Sequence, residues 1–215
     1  MSVVQQPSSA GLVARVTGML KSPATEWDVI DGEAATVQGL FTGYVVILAL
    51  IPAVSAILAG LVQSTFHLGF GFAHVLMLPL IIAMAVVSYA AQLVSVFILG
   101  FLADALAPSF DGQKSQSQAF KLAAYSPTAS WVCSVFQIIP FIGWIGALAG
   151  GIYSLYTFWI GAPKLMKVPA DKAIGFNIVL ILAWLIIYWL ILAVVGGMVT
   201  AMFIGSAIAA GGLVH

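Results

Sequence analysis

The chain has 215 residues, 62% hydrophobic and 7% charged, with seven Lys and Arg balancing seven Asp and Glu. A soluble domain carries about 25% charged residues, so a water-covered globule is excluded, and seven scattered cations exclude a nucleic-acid footprint. One cysteine, Cys133, rules out an intrachain disulfide and a cysteine-based metal cluster; the composition predicts an all-α polytopic membrane protein and calls for no cofactor.

Residues 1–38 differ in kind from 39–215. The opening MSVVQQPSSAGLVARVTG lacks the basic-then-apolar order of a cleaved signal peptide. Leu12, Val13, Val16, Met19 and Leu20 recur at helical spacing, with Arg15, Gly18, Lys21 and Ser22 on the other side. That pattern predicts an amphipathic helix lying in the membrane interface and meeting lipid rather than crossing. Ser22-Pro23 ends it and starts a second helix, since Ser favours the cap and Pro the first helical position. Glu26, Trp27, Asp28, Asp31 and Glu33 then form an acidic turn. Residues 10–33 read either as a surface for membrane lipids or a protein partner, or as a plain lead-in to the first crossing.

Apolar stretches long enough to cross a bilayer, which takes about 20 residues, run at 40–62, 73–103, 122–163 and 173–214. Pro79 interrupts the start of the second. Further along it lie Ser88, Tyr89, Gln92 and Ser95, of which Ser88, Gln92 and Ser95 share one helical face; Gln137 sits in the third stretch. A polar side chain in hydrocarbon must find a partner, usually across a helix contact. Interhelical hydrogen bonding is one reading of this polar face, and a polar pathway or ligand pocket is the other. No ionisable residue joins it, which argues against proton or cation coupling. Asp104, at the end of the second stretch, reads as a boundary acid in water. Pro108 and Asp111-Gly112 then mark a turn.

The third stretch has no charge from Leu122 to Pro163, about twice what one crossing needs. A single long helix would place Lys114 and Lys121 on one side and Lys164, Lys167 and Lys172 on the other. A hairpin puts all of them on the N-terminal side, as the positive-inside rule requires. Pro140 disrupts a helical ladder and biases Ile139 away from helix, and Gly143 accepts turn geometry. Ile139-Pro140-Phe141-Ile142-Gly143 is therefore predicted to be the turn, with Trp144 at the interface. Gly146 and Gly150, four apart, predict close helix packing within the hairpin or between protomers. The last stretch poses the same question without lysines to answer it: Gly196-Gly197 either closes a second hairpin, giving six crossings, or ends one crossing, about 174–197, that leaves an apolar outer tail. His67 and His74 lack nearby carboxylates and read as interface residues rather than metal ligands. No catalytic motif is present.

Several stretches resemble the bacterial branch of the Yip family, membrane proteins named for interacting with Rab-type GTPases. They are ALAPSFDGQKS (105–115), AFKLAAYSPTASW (119–131) and IIPFIGWIGALAGGIYSLYTFWIGAPKLMKVPADKAIGF (138–176), with a weaker likeness in 20–45. The elements that carry it are Tyr125-Ser126-Pro127, Pro140 with Gly143, and Tyr153, Tyr156 and Gly161. The resemblance implies five membrane helices in the bacterial inner membrane, a cytoplasmic N-terminus and a periplasmic C-terminus, and it supplies no catalytic residue. Bacteria lack Rab-driven vesicle traffic, so the eukaryotic role does not carry over. The expected function is non-enzymatic: organising the membrane or scaffolding partners through the interfacial segment and the small-residue faces, alone or as a homo-oligomer. The alternative is a small channel or transporter built on the polar face of the second crossing.

Overall fold

A computed structural model describes residues 9–68 and 72–211, with side chains over 11–64 and 78–202. The described residues hold helices and turns and no strand. At the N-terminus, α1 (Ser9–Lys21) and α2 (Pro23–Gly32) form a helical hairpin. Ser22 stands at the cap of α2 with Pro23 just inside, but its hydroxyl makes no capping bond; the Thr25 hydroxyl instead donates to the Ser22 carbonyl at 3.2 Å. A nearly continuous rod follows: α3 (Val37–Leu40), a π-helical turn (Phe41–Val45), α4 (Val46–Leu48) and α5 (Leu50–Leu68). Its first turn is capped by Thr36, whose Oγ1 accepts from the Gly39 N–H at 3.0 Å.

Next, α6 (Phe72–Leu106) runs straight through Pro79 and ends in a 3-10 turn, Ala107–Phe110. The loop turns at Asp111, whose φ of 58° is left-handed. It then lies close against residues 166–168: the Gln113 N–H donates to the Met166 carbonyl at 2.7 Å. Then come α7 (Gln116–Tyr125), α8 (Thr128–Cys133), a second 3-10 turn (Ser134–Ile138), α9 (Gly143–Leu165) and α10 (Ala170–Gly211).

Among the described residues four segments are long and apolar enough to cross a membrane: Val37–Ser64, Leu78–Phe110, Gly143–Leu165 and Ala170–Met202. The first arm of the third stretch is absent from that set for a local reason. Ser126-Pro127 breaks it into α7 and α8, each far shorter than a bilayer.

The chain reverses between Ile138 and Gly143. Phe141 takes a φ of 67°, and the Gly143 N–H donates back to the Ile139 carbonyl at 3.2 Å. A Cβ on Gly143 would stand 2.7 Å from the Gln137 Cα, so a side chain there would push the arms apart. Gly146 packs on Phe136, and Gly150 on Cys133 and Ala129; both small residues serve the close approach inside the hairpin. By contrast, α10 continues through Gly196-Gly197 without a turn. It packs chiefly along α6, and the outer residues of its second half, such as Val194, Met198 and Met202, are exposed.

One apolar core joins these parts, and α1–α2 belong to it: Met19, Trp27 and Ile30 are buried with Phe120, Leu122, Phe158, Phe176 and Leu180. Leu12 and Val16 are half-buried against the same core, the Leu20 carbonyl accepts from the Tyr153 hydroxyl at 2.7 Å, and Val13 is exposed. Much of the face expected to meet lipid meets protein instead.

Candidate functional site

The break at Ser126-Pro127 is the most elaborated point of the molecule. From Ala119 to Ser126 every residue is buried, so α7 runs inside protein. A break in an apolar setting frees backbone groups that must be satisfied locally. Here side chains do it. Ser126 Oγ donates to the Leu122 carbonyl (2.7 Å), Thr128 Oγ1 to the Tyr125 carbonyl (2.5 Å), and Thr157 Oγ1 to the Ser126 carbonyl (3.1 Å). The Tyr44 hydroxyl pairs with Thr128 Oγ1 at 2.7 Å, which ties the first rod to the break.

Helices α1 and α2 close over this break. The Tyr125 ring lies edge-on to Tyr44 at 4.7 Å and to Trp27 at 6.5 Å, and the Arg15 guanidinium sits 5.3 Å from its centroid. Trp27 is fully buried; its Nε1–H donates to the Thr157 carbonyl at 2.9 Å, and its indole fills the space that a side chain on Gly161 would need. Arg15 pairs with Glu26 and Glu33. Burial pulls its guanidinium down, but the two carboxylates outweigh that and leave it above its ordinary value.

The acidic turn is answered by the chain's own cations. Besides the Arg15 pairs, Lys164 meets Asp28 at 2.6 Å and Lys167 meets Asp31 at 2.5 Å. Lys121, 2% exposed, gives its ammonium protons to the carbonyls of Ile30 and Glu33 and to Gln118 Oε1. It thereby neutralises the negative end of α2. Burial pulls its pKa below the ordinary lysine value, against the opposing pull of Glu33 and Asp31. Exposed pairs of this kind contribute about 0–1 kcal/mol each, whereas the buried Lys121 contacts fix geometry. Lys121 begins the first arm of the hairpin, and Lys164 and Lys167 end the second; all three land on α2. Elsewhere Lys172 pairs with Asp111, whose carboxylate raises the lysine's pKa.

The polar residues of the second crossing scatter. Ser88 and Gln92 donate within their own helix, to Ala85 (2.9 Å) and Ser88 (3.2 Å). Tyr89 reaches the Val46 carbonyl at 3.1 Å, and Ser95 accepts from Trp184 Nε1–H at 2.6 Å. Gln137 donates to the Pro52 carbonyl at 3.1 Å, and with Pro140 and Gly143 it lines a recess of about 470 Å³ at the hairpin tip. Gln92 and Ser95 line a different cavity of about 450 Å³, together with Ser126, Pro127, Ser154, Trp184 and Tyr188. Tyr156 stacks edge-on to Tyr153 at 5.8 Å. Asp104 is not a boundary acid in open water: its Oδ1 is buried and without a hydrogen-bond partner. The histidine side chains, at 67, 74 and 215, lie outside the described residues.

The sequence pointed to Tyr125-Ser126-Pro127 as a motif and missed what surrounds it. Arg15, Trp27, Lys121, Thr128 and Thr157 act there together. The available signal was a proline in the middle of an apolar stretch.

The profile of the Yip1 domain matches residues 17–194. The chain belongs to the Yip1 domain family. The Yip1 match takes in the break, α2, the hairpin and most of α10, and begins just after Arg15. Among curated Yip1-like relatives is the inner membrane protein YohC of Escherichia coli K12, 24% identical over 172 residues, which are 77% of this chain and 85% of YohC. YohC of Escherichia coli O6:H1 matches with the same figures. No solved structure gives a significant match.

Proposed function

We propose that this Yip1 protein is a five-crossing, non-enzymatic protein of the bacterial inner membrane that organises the membrane or scaffolds partners. The fifth crossing is the broken arm Leu122–Ile138, and the N-terminus is cytoplasmic and the C-terminus periplasmic. The observation that carries this reading is the meeting of Lys121, Lys164 and Lys167 on α2, which brings both feet of the hairpin to the leaflet that positive charge favours. The likeness to YohC, named an inner membrane protein, supports the location.

The Trp27 bond to Thr157 and the pairs that Lys121, Lys164 and Lys167 make with α2 form a clasp, and this clasp makes α1–α2 a fixed platform rather than a loose tail. Its acids and Arg15 are taken up internally, so the surface left for partners is the outward face, where Lys21 is exposed, Val13 is 63% and Val29 54% exposed. Lipid headgroups, a protein partner or a second copy would meet the protein there. A photo-crosslinking residue placed at Val13 or Val29 in cells is expected to give discrete adducts, with Asp111 as the exposed control. Adducts no stronger than those at Asp111 would remove the scaffold reading.

A further inference from the structure

We infer that the cavity enclosed by α6, α8, α9 and α10 binds the hydrocarbon chain of a lipid. At about 450 Å³ it falls within the roughly 300–1,000 Å³ of small-molecule sites. Its walls are mostly apolar, Leu99, Phe158 and Ile181 among them, and no charged residue lines it. An ion or a sugar would go uncompensated there. A void of this size is strongly disfavoured, and apolar walls with few polar partners do not hold water. Three of its walls are helices apolar enough to cross a membrane, so the medium at its mouth is hydrocarbon.

The mouth lies on the α9 side. Asn177 Nδ2 ties α10 to the Trp159 carbonyl of α9 at 2.9 Å, and α10 packs far more extensively on α6 than on α9. In the seam this leaves, Gly151 and Leu155 line the cavity and are exposed, and a Cβ on Gly151 would meet nothing within 4 Å. The Ser126-Pro127 break forms another part of the lining, so the clasp above it holds that wall in place. Two polar atoms offer a handle. Tyr188 stacks on Trp184 at 5.4 Å, yet its hydroxyl bonds no described residue, and neither does Gln92 Oε1. A tyrosine hydroxyl in such surroundings normally has a partner. An ester or carboxyl oxygen at the head of an alkyl chain would supply one, whether the chain belongs to a phospholipid or to a free fatty acid.

Native mass spectrometry of the full chain in detergent tests this, with palmitoyl-oleoyl phosphatidylglycerol and oleic acid added separately. The wild type is expected to retain one molecule per chain. Retention of the phospholipid identifies a membrane lipid as the source, and retention of oleic acid alone identifies a free fatty acid. Gly151→Phe, whose ring would plug the mouth, is expected to lower retention at least tenfold, and Gly151→Leu to lower it less. Gly197→Phe puts the same ring on the exposed face of α10, where nothing lies within 4 Å, and is expected to bind as the wild type does. Tyr188→Phe should weaken retention by roughly two- to tenfold, the worth of one hydrogen bond. Thermal melts of each variant show that the fold is kept. Retention of neither probe by the wild type, undiminished retention by both folded Gly151 variants, or an equal loss in Gly197→Phe overturns the proposal.

Discussion

Replacing Trp27 by alanine removes the largest fully buried side chain of the N-terminal platform. Truncating a buried tryptophan to alanine costs about 3–5 kcal/mol. The lost hydrogen bond from Nε1 to the Thr157 carbonyl adds about 0.5–1.5 kcal/mol. The sum, about 3.5–6.5 kcal/mol, falls on the contact of α2 with α9 and Tyr125, where Trp27 packs against Tyr125 and Gly161 and bonds the Thr157 carbonyl. At about 1.4 kcal/mol per factor of ten, local opening of α2 becomes roughly 300- to 40,000-fold more frequent. Hydrogen exchange followed by mass spectrometry, in detergent or nanodiscs, reads this opening directly. Peptides over 23–32 are expected to lose most of their protection while those over 85–103 keep theirs. Trp27→Phe keeps a ring near Tyr125 and drops the donor, and should give an intermediate effect. A change below tenfold over 23–32, or equal loss across the whole bundle, would refute the claim that this indole anchors the platform.

Three further outcomes are expected. Arg15→Gln leaves Glu26 and Glu33 side by side without their cation and loosens α1 from α2 by about 1–3 kcal/mol, so limited trypsin cleavage after the exposed Lys21 should accelerate. Gly150→Leu forces a side chain against the Cys133 Cβ and the Ala129 carbonyl, at 2.7 and 3.0 Å from an added Cβ, and should destabilise by about 1–3 kcal/mol; Gly151→Leu, one residue on, should leave the melting temperature equal or higher. Phe141 holds a left-handed φ of 67° while 90% exposed, so Phe141→Gly is expected to stabilise by up to about 1 kcal/mol, measured by chemical or thermal denaturation.

The membrane class and the hairpin were legible because charge is so scarce. Lys121 and Lys164 bracket a run twice too long, and Pro140 and Gly143 supply the turn chemistry. The course of α10 was not, since no charge stands beyond Gly196-Gly197 to say on which side the chain ends. The four-crossing count reflects Pro127, which sits inside an apolar run that reads the same whether protein or lipid surrounds it. For the same reason the pattern of Leu12, Val16 and Met19 announced an apolar face without saying what would cover it. Lys121 read as a loop lysine; its partners are the backbone carbonyls of Ile30 and Glu33, and carbonyls far along the chain leave no trace in side-chain pattern. Of the polar residues in the second crossing, Gln92 and Ser95 line a common cavity, while Ser88 satisfies itself within its own helix and Tyr89 reaches the Val46 carbonyl.

Sidedness of the hairpin tests the account most directly. Single cysteines at Gln116, Phe141 and Ala170, all exposed, would be placed in a Cys133→Ala background and labelled in intact cells and in inverted vesicles with a thiol reagent that cannot cross the membrane. Positions 116 and 170 should react together from the cytoplasmic side, and 141 from the opposite side. Labelling of 116 and 170 from opposite sides would contradict the fold-back at Pro140 and the clasp built on it.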